Sequence, residues 1–225
     1  MHRATDPDWS GLIERWKGEQ IETRRRLRVC PLDPLPRFIA GADAAFPAGR
    51  NEVIAAAVVY DRHNRAVVET AHACLPLEVP YVPGFLAFRE GPAILEALAR
   101  LRHPFGAVLF DGHGYAHPRR CGVASYLAVK LDCPGVGVAK SRLVGQWQQP
   151  GPLPGDSSPL TDGGEQIGLV LRTRRNVRPL FISIGHRVDL PSAARLVLAC
   201  CTRYRLPEPT RQADLTVRRL AAGRG

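Results

Sequence analysis

The chain has 225 residues, 45% of them hydrophobic, and a formal net charge of +10 from 31 basic and 21 acidic side chains. That length suits one α/β domain with a sizeable core. No apolar run approaches the roughly 20 residues of a membrane helix, and the opening MHRATDPDWSG carries no apolar signal region, so a soluble, cytoplasmic protein is expected. The positive balance favours a polyanion such as nucleic acid, although plain solubility explains it as well. Lysine supplies only Lys17, Lys130 and Lys140 among the basic residues. The six cysteines form no CxxC pair, which argues against a disulfide framework or a zinc site.

In chain order, Asp8 is placed to cap a helix running to about residue 27, with Leu12, Ile13, Trp16, Ile21 and Leu27 as its apolar face. Proline-rich CPLDPLP ends it. Three strand-like runs follow, 38–46, 53–61 and 66–75, joined by short polar connections, and predict an antiparallel meander. VPYVPGF is too rich in proline for a strand interior. A helix is predicted from about Pro92, with Ile94, Leu95, Leu98 and Leu101 as its buried stripe. Strand 107–110, a DGHG turn, a helix near 121–131 and strand 135–140 come next. Residues 145–164 read as a surface loop. Strands over 166–174 and 179–188 and helices over 191–204 and 209–221 complete the chain. Hairpins first and helix–strand alternation afterwards predict an α/β fold, a mixed sheet flanked by helices.

Three acids stand where structure asks little of them. By strand alternation Asp43 shares a face with Ile39 and Gly41; Asp111 ends the apolar run AVLF; Glu90 precedes the predicted helix. Any one of them alone fits a turn or a helix start. Were the strands of Asp43 and Asp111 neighbours, two carboxylates would meet, and such a pair calls for a cation or a shared proton. Mg²⁺, a hard ion held by carboxylates, phosphate and water, satisfies it.

Other residues admit two readings each. His113 and His117 have i, i+4 spacing, but Gly114 and Pro118 argue against a helix and so against a zinc pair. Contact with phosphate or the metal shell, or bonds within the turn, are both open to them. Lys140 ends a buried strand and either neutralises a phosphate or is merely solvated. His186 follows FISIG and either handles protons and phosphate or is structural. Tyr81, braced by Pro80 and Pro83, either stacks on or wedges between bases, or packs onto the core.

Taken together, IAGAD (39–43), PYVPGFLAFRE (80–90), DGHGYAHPRRCGVAS (111–125), GVAKSRL (137–143), GHR (185–187) and YRLPEPTRQAD (204–214) resemble the endonuclease V family, over about residues 8 to 215. The resemblance implies a ribonuclease H-like fold and one nuclease domain over 1–225, with a flexible loop at about 145–164. It implies Mg²⁺, with Mn²⁺ as a substitute, and a nick at the second phosphodiester bond 3′ to deoxyinosine that leaves 3′-hydroxyl and 5′-phosphate ends. Asp43 and Asp111 match the metal-binding aspartates, Glu90 the third acid, and Lys140 and His186 the supporting basic residues. Tyr81 matches the wedge, with Pro80, Pro83 and His117 beside it on the DNA. Gly84, Leu86, Gly112 and Gly137 match the pocket for the base. The implied partner is double- or single-stranded DNA carrying deaminated bases; a monomer is the default expectation. Inosine-containing RNA is the alternative substrate, and a binder that does not cut is the alternative from another class.

Overall fold

The computed structural model describes residues 9–223. Helix α1 (Ser10–Arg26) starts after Trp9, which makes no side-chain cap bond; Asp8, the expected cap, lies outside the described residues. The predicted meander is present as β1 (Phe38–Ala45), β2 (Glu52–Asp61) and β3 (Ala66–Pro76), antiparallel throughout. Asp61 closes its second turn, accepting bonds from the backbone N–H groups of His63 and Asn64 and from the Arg37 guanidinium.

Helix α2 (Leu86–Ala99) begins six residues before the predicted start, so Pro92 lies inside it and Glu90 lies on the helix rather than ahead of it. An interior proline removes one backbone donor and costs about 3 kcal/mol. The buried face of Ala87, Glu90, Gly91, Ala93, Ile94, Ala97 and Leu98 outweighs that cost. Strand β4 (Ala107–Phe110), helix α3 (Val123–Leu131) and strand β5 (Gly135–Ala139) follow as predicted.

The expected loop at 145–164 is loop over 148–156 and strand on either side of it. It contains β6 (Gln146–Trp147) and β7 (Ser157–Asp162), and β7 pairs with β8 (Glu165–Leu171). The turn between them is Gly163-Gly164, both at positive φ, the hairpin chemistry that two adjacent glycines supply. Strand β9 (Leu180–His186) and helices α4 (Leu190–Ala199) and α5 (Glu208–Ala222) end the fold.

All nine strands form one sheet in the order β3-β2-β1-β4-β5-β9-β8-β7-β6. The central strands β1, β4 and β5 are parallel, with α2 and α3 as the crossovers that parallel pairing needs, and the flanks are antiparallel. This is the ribonuclease H-like α/β layout that the resemblance implies. Ala40, Ala42, Val108 and Phe110 face a core shared with α2 and α3. Ile39, Leu109, Val136 and Val138 face the other side, with α4 beneath them, and α5 packs across β1 and β2. Among the described residues no helix is long and apolar enough to cross a membrane, and all six cysteines are free.

Candidate active site

The parallel register decides where the acids meet. Ala42 of β1 stands opposite Phe110 of β4, and the Asp111 N–H donates to the Ala42 carbonyl at 3.2 Å. The next residues, Asp43 and Asp111, therefore lie side by side at the C-terminal edge of the parallel strands. Alternation carries Asp43 with Ile39 and Gly41, and Asp111 with Ala107 and Leu109, to the face where α4 and α5 pack. There Asp214 of α5 joins them: one oxygen from each of Asp43, Asp111 and Asp214 lies within 4.8 Å of the others.

Gly41 makes that approach possible. A Cβ at this position would stand 2.1 Å from the backbone carbon of Pro209, at the start of α5. A side chain here would push the helix, and Asp214 with it, away from the sheet. Asp214 itself was not among the residues read from the sequence as part of the site. It lies within YRLPEPTRQAD, and its signal is an acid in the stripe of Thr210, Asp214 and Val217, which are buried with Glu208 on the same helix.

Electrostatics mark the cluster. Burial, and then the Asp111 charge, push the Asp43 carboxyl up to about 8. Burial, then Asp43 and Asp111, push Glu90 up to about 8 from the α2 side of the sheet. Burial also raises Asp111, against the pull of Lys140. Lys140, one residue past β5, donates to Asp111 and, at 3.3 Å, to Asp214. Burial works against its charge, but these carboxylates outweigh burial and raise its pKa. Arg218 also donates to Asp214, at 2.9 Å. A buried set of hard oxygen donors that cannot all ionise without a nearby cation suits a divalent metal. Asp43, Asp111 and Asp214 are the residues that would hold it, with Glu90 behind them.

Beside the acids lies a cavity of about 130 Å³, room for a single flat heterocycle. Gly84, Leu86 and Gly112 line it, as expected, together with Gln20, His113 and Val123. Tyr81 stands at its margin with 64% of its surface exposed, so the ring does not pack on the core. A larger cavity of about 800 Å³, bordered by Leu27, Tyr115 and Leu169, contains none of the acids.

The family model described as Endonuclease V matches residues 21–215. An endonuclease V of Rippkaea orientalis is 49% identical over 188 residues, 84% of this chain and 80% of that protein. The crystal structure of the endonuclease V of Streptomyces avermitilis superposes with a TM-score of 0.91 at 41% identity, covering 97% of this chain and 96% of that one. The chain belongs to the endonuclease V family. A Ciona intestinalis endonuclease V, 25% identical with a TM-score of 0.84 over 96% of this chain and all of that one, was crystallised with a 24mer DNA containing an inosine followed by a ribo-adenosine.

Three residues expected at the site stand elsewhere or act differently. His186 is not brought to the acids: β9 runs antiparallel to β5, and His186 pairs with Gly135 at the start of β5, whereas Lys140 follows its end. At about 3.3 Å per residue the two are separated by roughly 16 Å of strand. The buried His186 ring accepts from the Arg28 N–H at 3.2 Å and meets Asp132 at 3.1 Å, which staples the segment after α1 to the end of α3.

His117 is buried and lines the base cavity, but neither ring nitrogen is left for a phosphate. Nε2 donates to the Gly84 carbonyl at 3.0 Å, and Nδ1 accepts from the Arg119 N–H at 3.2 Å. Burial, then the Arg119 charge, hold it neutral with a pKa of about 4. Gln20 and Arg119 donate to the same Gly84 carbonyl, at 3.0 and 2.7 Å, so three side chains fix the loop that carries Tyr81. Gly137 lies under the cavity rather than in its wall: a Cβ there would stand 2.6 Å from the Gly114 nitrogen and 2.7 Å from the Gly112 carbonyl oxygen. It lets the DGHG turn rest on β5.

Proposed function

We propose that this chain is a deoxyinosine-directed endonuclease of the endonuclease V family that depends on a divalent metal, Mg²⁺ or Mn²⁺. In this reading it nicks the strand at the second phosphodiester bond 3′ to the lesion and works as a monomer. The observation that carries the proposal is the convergence of Asp43, Asp111 and Asp214 next to a base-sized cavity. A protein that only bound nucleic acid would gain nothing from buried carboxylates facing a phosphate, since like charges repel.

The reaction is hydrolysis. A water oxygen bonds to phosphorus, the bond from phosphorus to the 3′ oxygen breaks, and that oxygen leaves as a hydroxyl while the phosphate stays on the downstream 5′ end. A metal held by the aspartates would polarise the phosphate and make the water more acidic. Lys140 sets a compact positive charge beside the same oxygens. The Tyr81 loop, held through Gly84, would fill the gap left by an extruded base, and a deaminated purine costs less to extrude because it pairs poorly.

The test is cleavage of an inosine-containing duplex by wild type, Asp43→Asn and Asp214→Asn, with binding measured in parallel. Both variants are expected to lose cleavage and keep binding; normal cutting by either would overturn the proposed metal site. Inosine-containing RNA is a second substrate reading, favoured by the ribonucleotide that follows inosine in the DNA bound by the Ciona protein. Cleavage of matched inosine DNA and inosine RNA with and without Mg²⁺ separates the two.

A further inference from the structure

A groove of about 380 Å³ is lined by Lys140, Trp147, Arg172, Arg178 and Phe181, among others. Lys140, Arg172 and Arg178 line it, and no carboxylate does. Arg178 makes no ion pair among the described residues and is exposed. Behind it, Arg205 donates to the carbonyls of Lys140 and Pro179, both at 3.0 Å, and its buried Nε has no partner. Burial, and then the Arg178 charge, lower the Arg205 pKa, against a smaller opposing pull from Asp111.

The walls are fixed. Arg172 spends its guanidinium on backbone carbonyls, those of Pro150 and Gly151 at 3.0 Å and that of Val177, tying the connection between β6 and β7 to the turn before β9. Trp147 is held edge-on against Phe181, with ring centroids 5.4 Å apart and planes at 89°. The groove therefore sets a rigid aromatic beside Arg178, a cation with no ion pair among the described residues, and such a combination tracks a single strand without reading its sequence.

We propose that this groove takes the substrate strand on the 3′ side of the cut, its phosphodiester backbone against Arg178 and one base against the indole of Trp147. The inference rests on the proposed function, and chain polarity follows from it. Gly112, next to Asp111, lines the base cavity, and Lys140, the partner of Asp111, lines the groove, so the acids lie between the two. With the lesion in the cavity and the cut at the acids, the strand beyond the cut enters the groove.

The experiment measures binding of inosine oligonucleotides without divalent metal, by fluorescence anisotropy, as the arm 3′ of the cut is shortened stepwise and, separately, the 5′ arm. Wild-type affinity is expected to fall with the first nucleotides removed from the 3′ arm. Arg178→Glu is expected to bind the full-length strand about tenfold more weakly, with a log–log salt slope shallower by roughly 0.7. Its response to the 3′ arm should be smaller than that of wild type, while its response to the 5′ arm stays the same. Trp147→Ala should lose about fivefold or more, at all salt concentrations. Identical 3′-arm dependence in wild type and Arg178→Glu would overturn the groove assignment. A wild type that binds inosine and adenosine strands equally would instead overturn the proposed function, which the arm series does not measure.

Discussion

Protonation ties the site residues to the stability of the fold. The Asp43 and Glu90 carboxyls are pushed up to about 8, far above their unfolded values near 4. A group raised on folding stabilises the protein below its unfolded pKa and loses that contribution as pH climbs through the folded one. Wild-type Tm should therefore fall between about pH 4 and 8 relative to Asp43→Asn, which keeps the shape and cannot ionise. Asp111, Glu90, Lys140 and Asp214 all face this position, so the difference between the two proteins reports Asp43 together with the rise that its charge gives Glu90. Added Mg²⁺ should restore the wild type at pH 8 and leave the variant unmoved; parallel melting curves across the range would count against a shared site. Tyr81→Ala belongs to the same scale: the ring is exposed, so Tm should hold while a gel shift shows inosine-duplex binding weakened about fivefold or more. Unchanged affinity would remove the wedge role. Asp43 and Asp111 were legible because alternation fixes which side of a strand faces the core. Asp214 was not, since its neighbourhood exists only once α5 lies across β1. His186 misled because a strand's direction in the sheet is not written in its local residues.

Among the elements, those whose periodicity decides their structure were read well. The meander of β1, β2 and β3 has short polar turns and apolar strands, and β4 and β5 are uninterrupted apolar runs. Misreadings came where a punctuating residue yielded to packing. Pro92 looked like a helix start, yet α2 runs through it because the face on either side of it is buried. The prolines and glycines of 145–164 looked like a loop, yet its two adjacent glycines build a hairpin. The contact between β1 and α5 carries an element-scale prediction. Gly41→Ala forces a methyl into the Pro209 backbone, and overpacking of this kind costs about 1–3 kcal/mol. The variant should melt earlier, and what remains folded should cleave poorly because Asp214 is displaced from Asp43 and Asp111. A variant with lowered Tm and full specific activity would show that α5 can shift without moving the acids.

Across the whole molecule the excess positive charge has a place to act. The net charge of +10 is legible in composition, but its use is not; the fold supplies that by setting Lys140, Arg172 and Arg178 along one groove beside the acids. Binding that rests on phosphate contacts falls linearly in log affinity with log salt, by roughly 0.7 to 0.9 for each phosphate neutralised. The base cavity, lined by glycines, apolar groups, Tyr81, Gln20, a neutral His117 and His113, whose pKa burial lowers, adds no carboxylate or fixed cation that salt could screen. Affinities for inosine-containing and inosine-free DNA, measured without metal over a salt series, should then run as parallel lines. Their separation is the contribution of the extruded base, and their common slope is that of the backbone. A slope near zero for plain DNA would reduce the basic excess to solubility, and lines that converge with salt would place charge in the recognition of the base itself.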